Sequence, residues 1–90
     1  TETQVRCLGG EEEKIASAIQ KKIVERVGTS DRGIREKNAV FLDAILAPAV
    51  LVELAFITNE YDVEFLRSRM DDFAQAIFCG VCEYYYKNCY

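Results

Sequence analysis

Histidine and tryptophan are both absent from the 90 residues of this chain, and Pro48 is its single proline. Without histidine the chain lacks the commonest acid-base residue of neutral pH and the commonest metal ligand together. Catalysis here has to use carboxylates, tyrosine, lysine or cysteine, or groups supplied from outside the chain. No basic run exceeds two adjacent residues, and 11 Lys and Arg face 15 Asp and Glu, for a net charge of -4 and a pI near 4.8. That balance speaks against a surface that tracks nucleic-acid phosphates. The uncharged run between Asp43 and Glu53 is nine residues, half of what a membrane span needs, so no span is expected. Neither a signal peptide nor an initiating Met stands at the start, and the sequence reads as a mature piece or an excised fragment.

What is present is apolar enough to fold. Half the residues are hydrophobic, and five Tyr and five Phe argue against general disorder. The length suits one domain and not two. A globule this short buries only roughly 60–65% of the surface its unfolded chain exposes, so its stability is expected to lean on a partner surface. Cys7, Cys79, Cys82 and Cys89 allow three fully paired schemes, and spacing does not choose among them. Cys79 and Cys82 share one helical face, a spacing open to a metal, a redox pair or two free buried thiols, of which the last is preferred. With no histidine and no second Cys-x-x-Cys, a structural zinc is not expected.

The spacing predicts a strand over 1–8, with Thr3, Val5 and Cys7 on one side, ended by Gly9 and Gly10. A helix follows over 11–27, with Ile15, Ala18, Ile19, Ile23 and Val27 in one stripe, Glu11 to Glu13 at its N-terminus and Gly28 as its stop. Residues 29–38 read as a polar turn and 39–42 as a short strand. The run Ala49 to Val52 reads as part of a strand over 49–53 covered on both faces. Asn59 and Asp62 form a capping box for a short helix over 60–66, and Ser68 and Asp71 repeat it for a last helix reaching residue 86. In that helix Phe73, Ala76, Ile77, Gly80, Val81 and Tyr84 make the buried stripe, with Gly80 allowing close approach to a sheet. Tyr84 to Tyr86 and Tyr90 are open to two readings, a stacking surface or a helix end with Tyr84 turned inward. The class is α/β, part of a sheet flanked by helices.

Glu53 is the informative residue. It is the only charge between Asp43 and Glu60 and stands where an apolar strand runs out, the place where open α/β sheets bind ligands. Among Leu51, Val52, Leu54 and Phe56 its carboxylate has the desolvated surroundings a general base uses. The competing reading is an edge residue that faces water or pairs with Arg32 or Arg35.

Asp31-Arg32-Gly33-Ile34, Val40-Phe41-Leu42 and the stretch from Pro48-Ala49-Val50-Leu51-Val52-Glu53 to Phe56-Ile57-Thr58-Asn59 resemble the closing half of the zinc-dependent N-acetylmuramoyl-L-alanine amidases of bacterial peptidoglycan. The resemblance continues through Phe73-Ala74-Gln75-Ala76-Ile77 and covers nearly the whole chain. It implies that residues 1–90 are the C-terminal half of one α/β domain whose other half carries the metal site. Zinc would be held there by two histidines and a glutamate, none of them in this chain. Glu53 matches the family's catalytic glutamate, which is not a metal ligand. The implied reaction is zinc-assisted hydrolysis of the amide between N-acetylmuramic acid and L-alanine, with Glu53 moving the proton. Arg32 and Arg35 would hold anionic groups of the stem peptide, although a polar loop also carries arginines for solubility alone. Glu2 is a weaker auxiliary candidate and, as an alternating strand residue, is expected to be solvated. The chain departs from the family at Ala55, where glycine is usual; the added methyl bears on how the carboxylate is aimed.

The implied partners are the missing N-terminal half and a muropeptide or peptidoglycan. The implied location is secreted or bound to the cell wall, periplasmic in a Gram-negative cell, and the segment alone is expected to be inactive. Two other readings are a noncatalytic remnant of the fold that binds cell wall or protein, and a small intracellular interaction module.

Overall fold

The computed structural model describes residues 1–37 and 40–86. Strand β1 (Glu2–Val5) is the middle of a three-stranded sheet, with β2 (Ile34–Glu36) on one side and β3 (Leu51–Glu53) on the other. The helices are α1 (Glu11–Val27), the single turn α2 (Val40–Asp43), α3 (Glu60–Ser68) and α4 (Met70–Tyr86). β2 runs parallel to β1, with Thr3 opposite Ile34. β3 runs antiparallel, with Glu2 opposite Glu53 and Gln4 opposite Leu51. The architecture is mixed α/β, a sheet with flanking helices, as the sequence predicts. Among the described residues no helix is long and apolar enough to cross a membrane.

Both long helices form where their apolar periodicity places them. Glu13 accepts a hydrogen bond from the Gly9 N–H at 2.9 Å, covering the start of α1. Gly28 closes it at φ 89° with its N–H on the Val24 carbonyl at 3.0 Å, a conformation that disfavours any side chain. Ile15, Ile19, Ile23 and Val27 of α1 meet Phe73 and Ala76 of α4, and Val50, Val52 and Leu54 pack on the same cluster. Ala18 stands half exposed and Ala16 is buried in its place. Full burial of one such large apolar side chain contributes roughly 1.5–3 kcal/mol, so this seam outweighs strands of three and four residues. Gly80 serves the seam and not the sheet: it lies on the backbone of Ile19 in α1.

The strands depart from expectation in ways the main chain explains. The first ends at Val5, and Arg6 leaves the ladder. The predicted polar turn contains β2, whose only apolar residue is Ile34; its pairing with β1 is a main-chain matter. The predicted strand over 39–42 is instead the helical turn α2, as far as the described residues reach. β3 pairs with β1 on one side only among the described residues and is half buried, not covered on both faces.

At the helix starts, Asn59 caps α3 by accepting from the Tyr61 and Asp62 N–H groups at 2.9 and 3.1 Å. Ser68 caps nothing, because its hydroxyl donates back to the Glu64 carbonyl at 2.7 Å. Tyr84 packs on the core and donates to Glu11 at 2.8 Å, while Tyr85 and Tyr86 are exposed. Cys79 is disulfide-bonded, which corrects the reading of two free buried thiols; Cys7 and Cys82 are free, Cys7 exposed and Cys82 half buried. Cys89 and Tyr90 lie outside the described residues.

Arg6 replaces a ladder for the segment before β3. Its guanidinium donates to the carbonyls of Leu42, Ile45 and Ala47 at 2.9, 2.6 and 3.0 Å, and to both carboxylate oxygens of Glu12. Glu12 in turn accepts the Ala49 N–H at 2.8 Å. The Arg6 hydrogen bonds, helped by the N–H groups of Ala49 and Arg6, hold the Glu12 carboxyl at about 2, below its ordinary 4.5. A depressed carboxyl stabilises the fold above its unfolded value and loses that contribution as pH falls towards its folded one. Tm is therefore expected to drop between pH 4.5 and about 2 by more than in a Glu12→Gln variant, which starts lower and lacks this component. Parallel curves for the two proteins would show that the latch does not contribute.

Candidate functional site at the end of β3

Because β3 is antiparallel, its carboxyl end lies beside the amino ends of β1 and β2. The rule for carboxyl ends of parallel strands is therefore not what builds this site. Three strand ends meet here and bring Glu2, Arg32, Arg35 and Glu53 together. Thr3 donates to Gln20 of α1 at 3.0 Å, so β1 turns Thr3 to the helices and Glu2 and Gln4 to the opposite face. Val52 faces the helical core, which places Glu53 on that same opposite face beside its cross-strand partner Glu2.

The arginines do not pair with Glu53. Arg35 Nε lies 3.7 Å and Arg32 Nε 3.9 Å from Glu2 Oε1, and Gln4 Nε2 donates to Glu2 Oε2 at 2.8 Å. Glu2 is only 5% exposed, which corrects its reading as a solvated residue: two guanidiniums and an amide replace the water its charge would need. Glu53 is half buried, and its carboxylate makes no hydrogen bond or ion pair among the described residues. Arg32 also lies over the Phe56 ring, 4.3 Å from its centre, a favourable placement for a cation.

The surrounding backbone is held from several sides. The Arg32 N–H donates to the Thr1 carbonyl at 2.9 Å, and Asp31 accepts from the Gly33 N–H at 2.9 Å. Gln20, 4% exposed, reaches from α1 to donate to the Thr1 carbonyl at 2.7 Å and to Asp31 at 2.9 Å. Beyond Glu53, Asp62 accepts the Phe56 N–H at 3.0 Å, so the capping-box acid ties α3 to the strand exit instead of to Asn59. An open cleft of about 550 Å³ follows, lined by Arg32, Phe56, Thr58, Asn59 and Tyr61 among others.

Gln20 and Asp62 as braces escaped the reading of the sequence. A glutamine inside an apolar stripe and a carboxylate in a first helical turn both have commoner explanations. The spacing Glu2-x-Gln4 against Arg32-x-x-Arg35 was the available signal for the buried carboxylate. Among the described residues no group of three or more His, Cys, Asp or Glu is placed to hold a metal ion.

Residues 9–83 match the N-acetylmuramoyl-L-alanine amidase family. The chain belongs to that family. It is 39% identical over 74 residues to the N-acetylmuramoyl-L-alanine amidase LytC of Bacillus subtilis, covering 80% of this chain and 15% of that protein. It is 37% identical over 79 residues to the uncharacterized protein YqiI of the same organism, covering 86% of this chain and 38% of that one. An uncharacterized cell wall amidase of Bacillus anthracis is 36% identical over 73 residues, 79% of this chain and 14% of its own length. The chain thus spans well under half the length of these relatives. No solved structure matches it significantly.

Proposed function

We propose that residues 1–90 form the C-terminal half of one amidase domain that hydrolyses the amide between N-acetylmuramic acid and L-alanine, with Glu53 as its proton-transfer residue. The observation that carries this is a half-buried carboxylate at the exit of β3, unpaired among the described residues and inside the segment that matches the family. Glu53 would take a proton from the attacking water as oxygen adds to the amide carbon. It would return that proton to the nitrogen as the C–N bond breaks, leaving a carboxylic acid and the free amine of alanine. Exposed N–H groups of Arg32 and Arg35 would meet anionic groups of the stem peptide.

The zinc expected for this family does not fit the residues described here, which offer no ligand set. Its ligands are proposed to lie in the N-terminal half of the domain, and no step above passes through it. The segment alone is accordingly proposed to be inactive. The complete protein is proposed to act at the cell wall as a secreted enzyme on peptidoglycan or muropeptides.

Digestion of purified peptidoglycan by the complete enzyme is expected to release L-alanine amino termini without new reducing sugar ends. Reducing ends without alanine amines would assign the cleavage to the glycan and overturn the reading. Turnover by the 90 residues alone would overturn the split of the site between two halves.

A further inference from the structure

We propose that Glu2 is a positioning residue whose carboxylate holds Arg32 and Arg35 away from Glu53, so that Glu53 stays unpaired and able to take a proton. This rests on the reading of Glu53 as the proton-transfer residue and adds a second carboxylate to it. Glu2 and Glu53 are direct cross-strand neighbours on one face, where Cβ atoms stand about 4.5–5.5 Å apart. A guanidinium beside one of them is within reach of the other. Both arginines are about half exposed, with side-chain exposures of 52% and 57%; beyond the Phe56 ring under Arg32 and the Arg32 carbonyl 3.4 Å from Arg35 Nε, the charges they face orient them.

Two carboxylates therefore compete for the same two cations, and Glu2 holds them. It is the more buried of the pair and the more dependent on compensation, and the Gln4 amide at 2.8 Å sets its orientation. The other nearby acids do not draw the arginines away. Asp31 is engaged by Gln20 and the Gly33 N–H, and Asp62 by the Phe56 N–H at the strand exit. With the Glu2 charge gone, its cross-strand neighbour Glu53 is the carboxylate left beside that position to draw the guanidiniums. An ion-paired carboxylate is a poorer proton acceptor than a free one.

The test uses the complete enzyme. Glu2→Gln keeps the size of the side chain and an acceptor for Gln4, yet is expected to lower kcat by about 10- to 100-fold with KM shifted by less than about threefold. Glu2→Asp keeps the charge and is expected to retain most of kcat. A purely structural role predicts the reverse order, because aspartate is shorter and glutamine fits. A readout independent of activity is the coupling between Arg35→Gln and Glu53→Gln in unfolding, measured as a double-mutant cycle. Coupling is expected to be near zero with Glu2 present and clear in the Glu2→Gln background. Equal coupling in both backgrounds, or wild-type kcat in Glu2→Gln, would overturn the proposal. A fully active Glu53→Gln enzyme would instead remove the proton-transfer reading, and the coupling cycle would still decide whether Glu2 holds the arginines.

Discussion

Glu53→Gln in the complete enzyme is expected to lower turnover by roughly 10²–10⁴, the range that a positioned acid-base group supplies. The substitution keeps the side chain's length and shape while removing its ability to accept a proton. Its structural cost is expected to be small, because the carboxylate makes no hydrogen bond or ion pair among the described residues, and Arg32 and Arg35 are turned to Glu2. Tm should therefore change little, within the roughly 0.5 kcal/mol typical of substitutions away from such networks. Metal content should be unchanged if the ligands lie in the other half of the domain. Turnover, Tm and metal stoichiometry measured on equally folded samples separate this from a structural role. A structural role would move Tm more than rate, and residual activity would follow the folded fraction. A metal-loaded Glu53→Gln enzyme at wild-type turnover would take Glu53 out of the reaction.

How far the sequence could be read depended on whether a feature was carried by side-chain period or by main-chain pairing. α1 and α4 were legible because Ile15, Ile19, Ile23 and Phe73, Ala76 recur at helical spacing and bury one stripe each. The Asn59 cap was legible because its oxygen serves two N–H groups that any helix start leaves open. β2 was not, since Ile34-Arg35-Glu36 has no alternation to detect and its place comes from pairing with a strand about thirty positions earlier. Nor was α2, where Arg6 satisfies the carbonyls that follow. Glu53 stood out as a lone charge in an apolar run. Its relation to Glu2 did not, because an antiparallel register between residues about fifty positions apart leaves no local trace.

Gly80→Ala is expected to destabilise the fold through the contact that joins α1 to α4. A Cβ on residue 80 would stand 2.6 Å from the Ile19 Cα, 2.8 Å from its nitrogen and 2.9 Å from its Cγ1. The first two are backbone atoms, so no rotamer change relieves the overlap and the helices have to separate. Separation opens the seam that holds Ile19, Ile23, Phe73 and Ala76, on which Val52 and Leu54 also pack. Overpacking of this kind costs roughly 1–3 kcal/mol, and a backbone clash belongs at the upper end. Alanine regains up to about 1 kcal/mol in helix propensity over glycine. The clash wins by about 2 kcal/mol, which lowers Tm by roughly 4–8 °C in a domain of about 150–250 residues. Gly10→Ser is the control, because a Cβ there meets nothing within 4 Å and serine adds a capping oxygen at the start of α1. It is expected to match or slightly exceed the wild-type Tm. Both proteins should keep their activity per folded molecule unless the shifted seam carries β3, and Glu53 with it, out of line. A Gly80→Ala protein as stable as wild type would mean that α1 and α4 do not approach as closely as described.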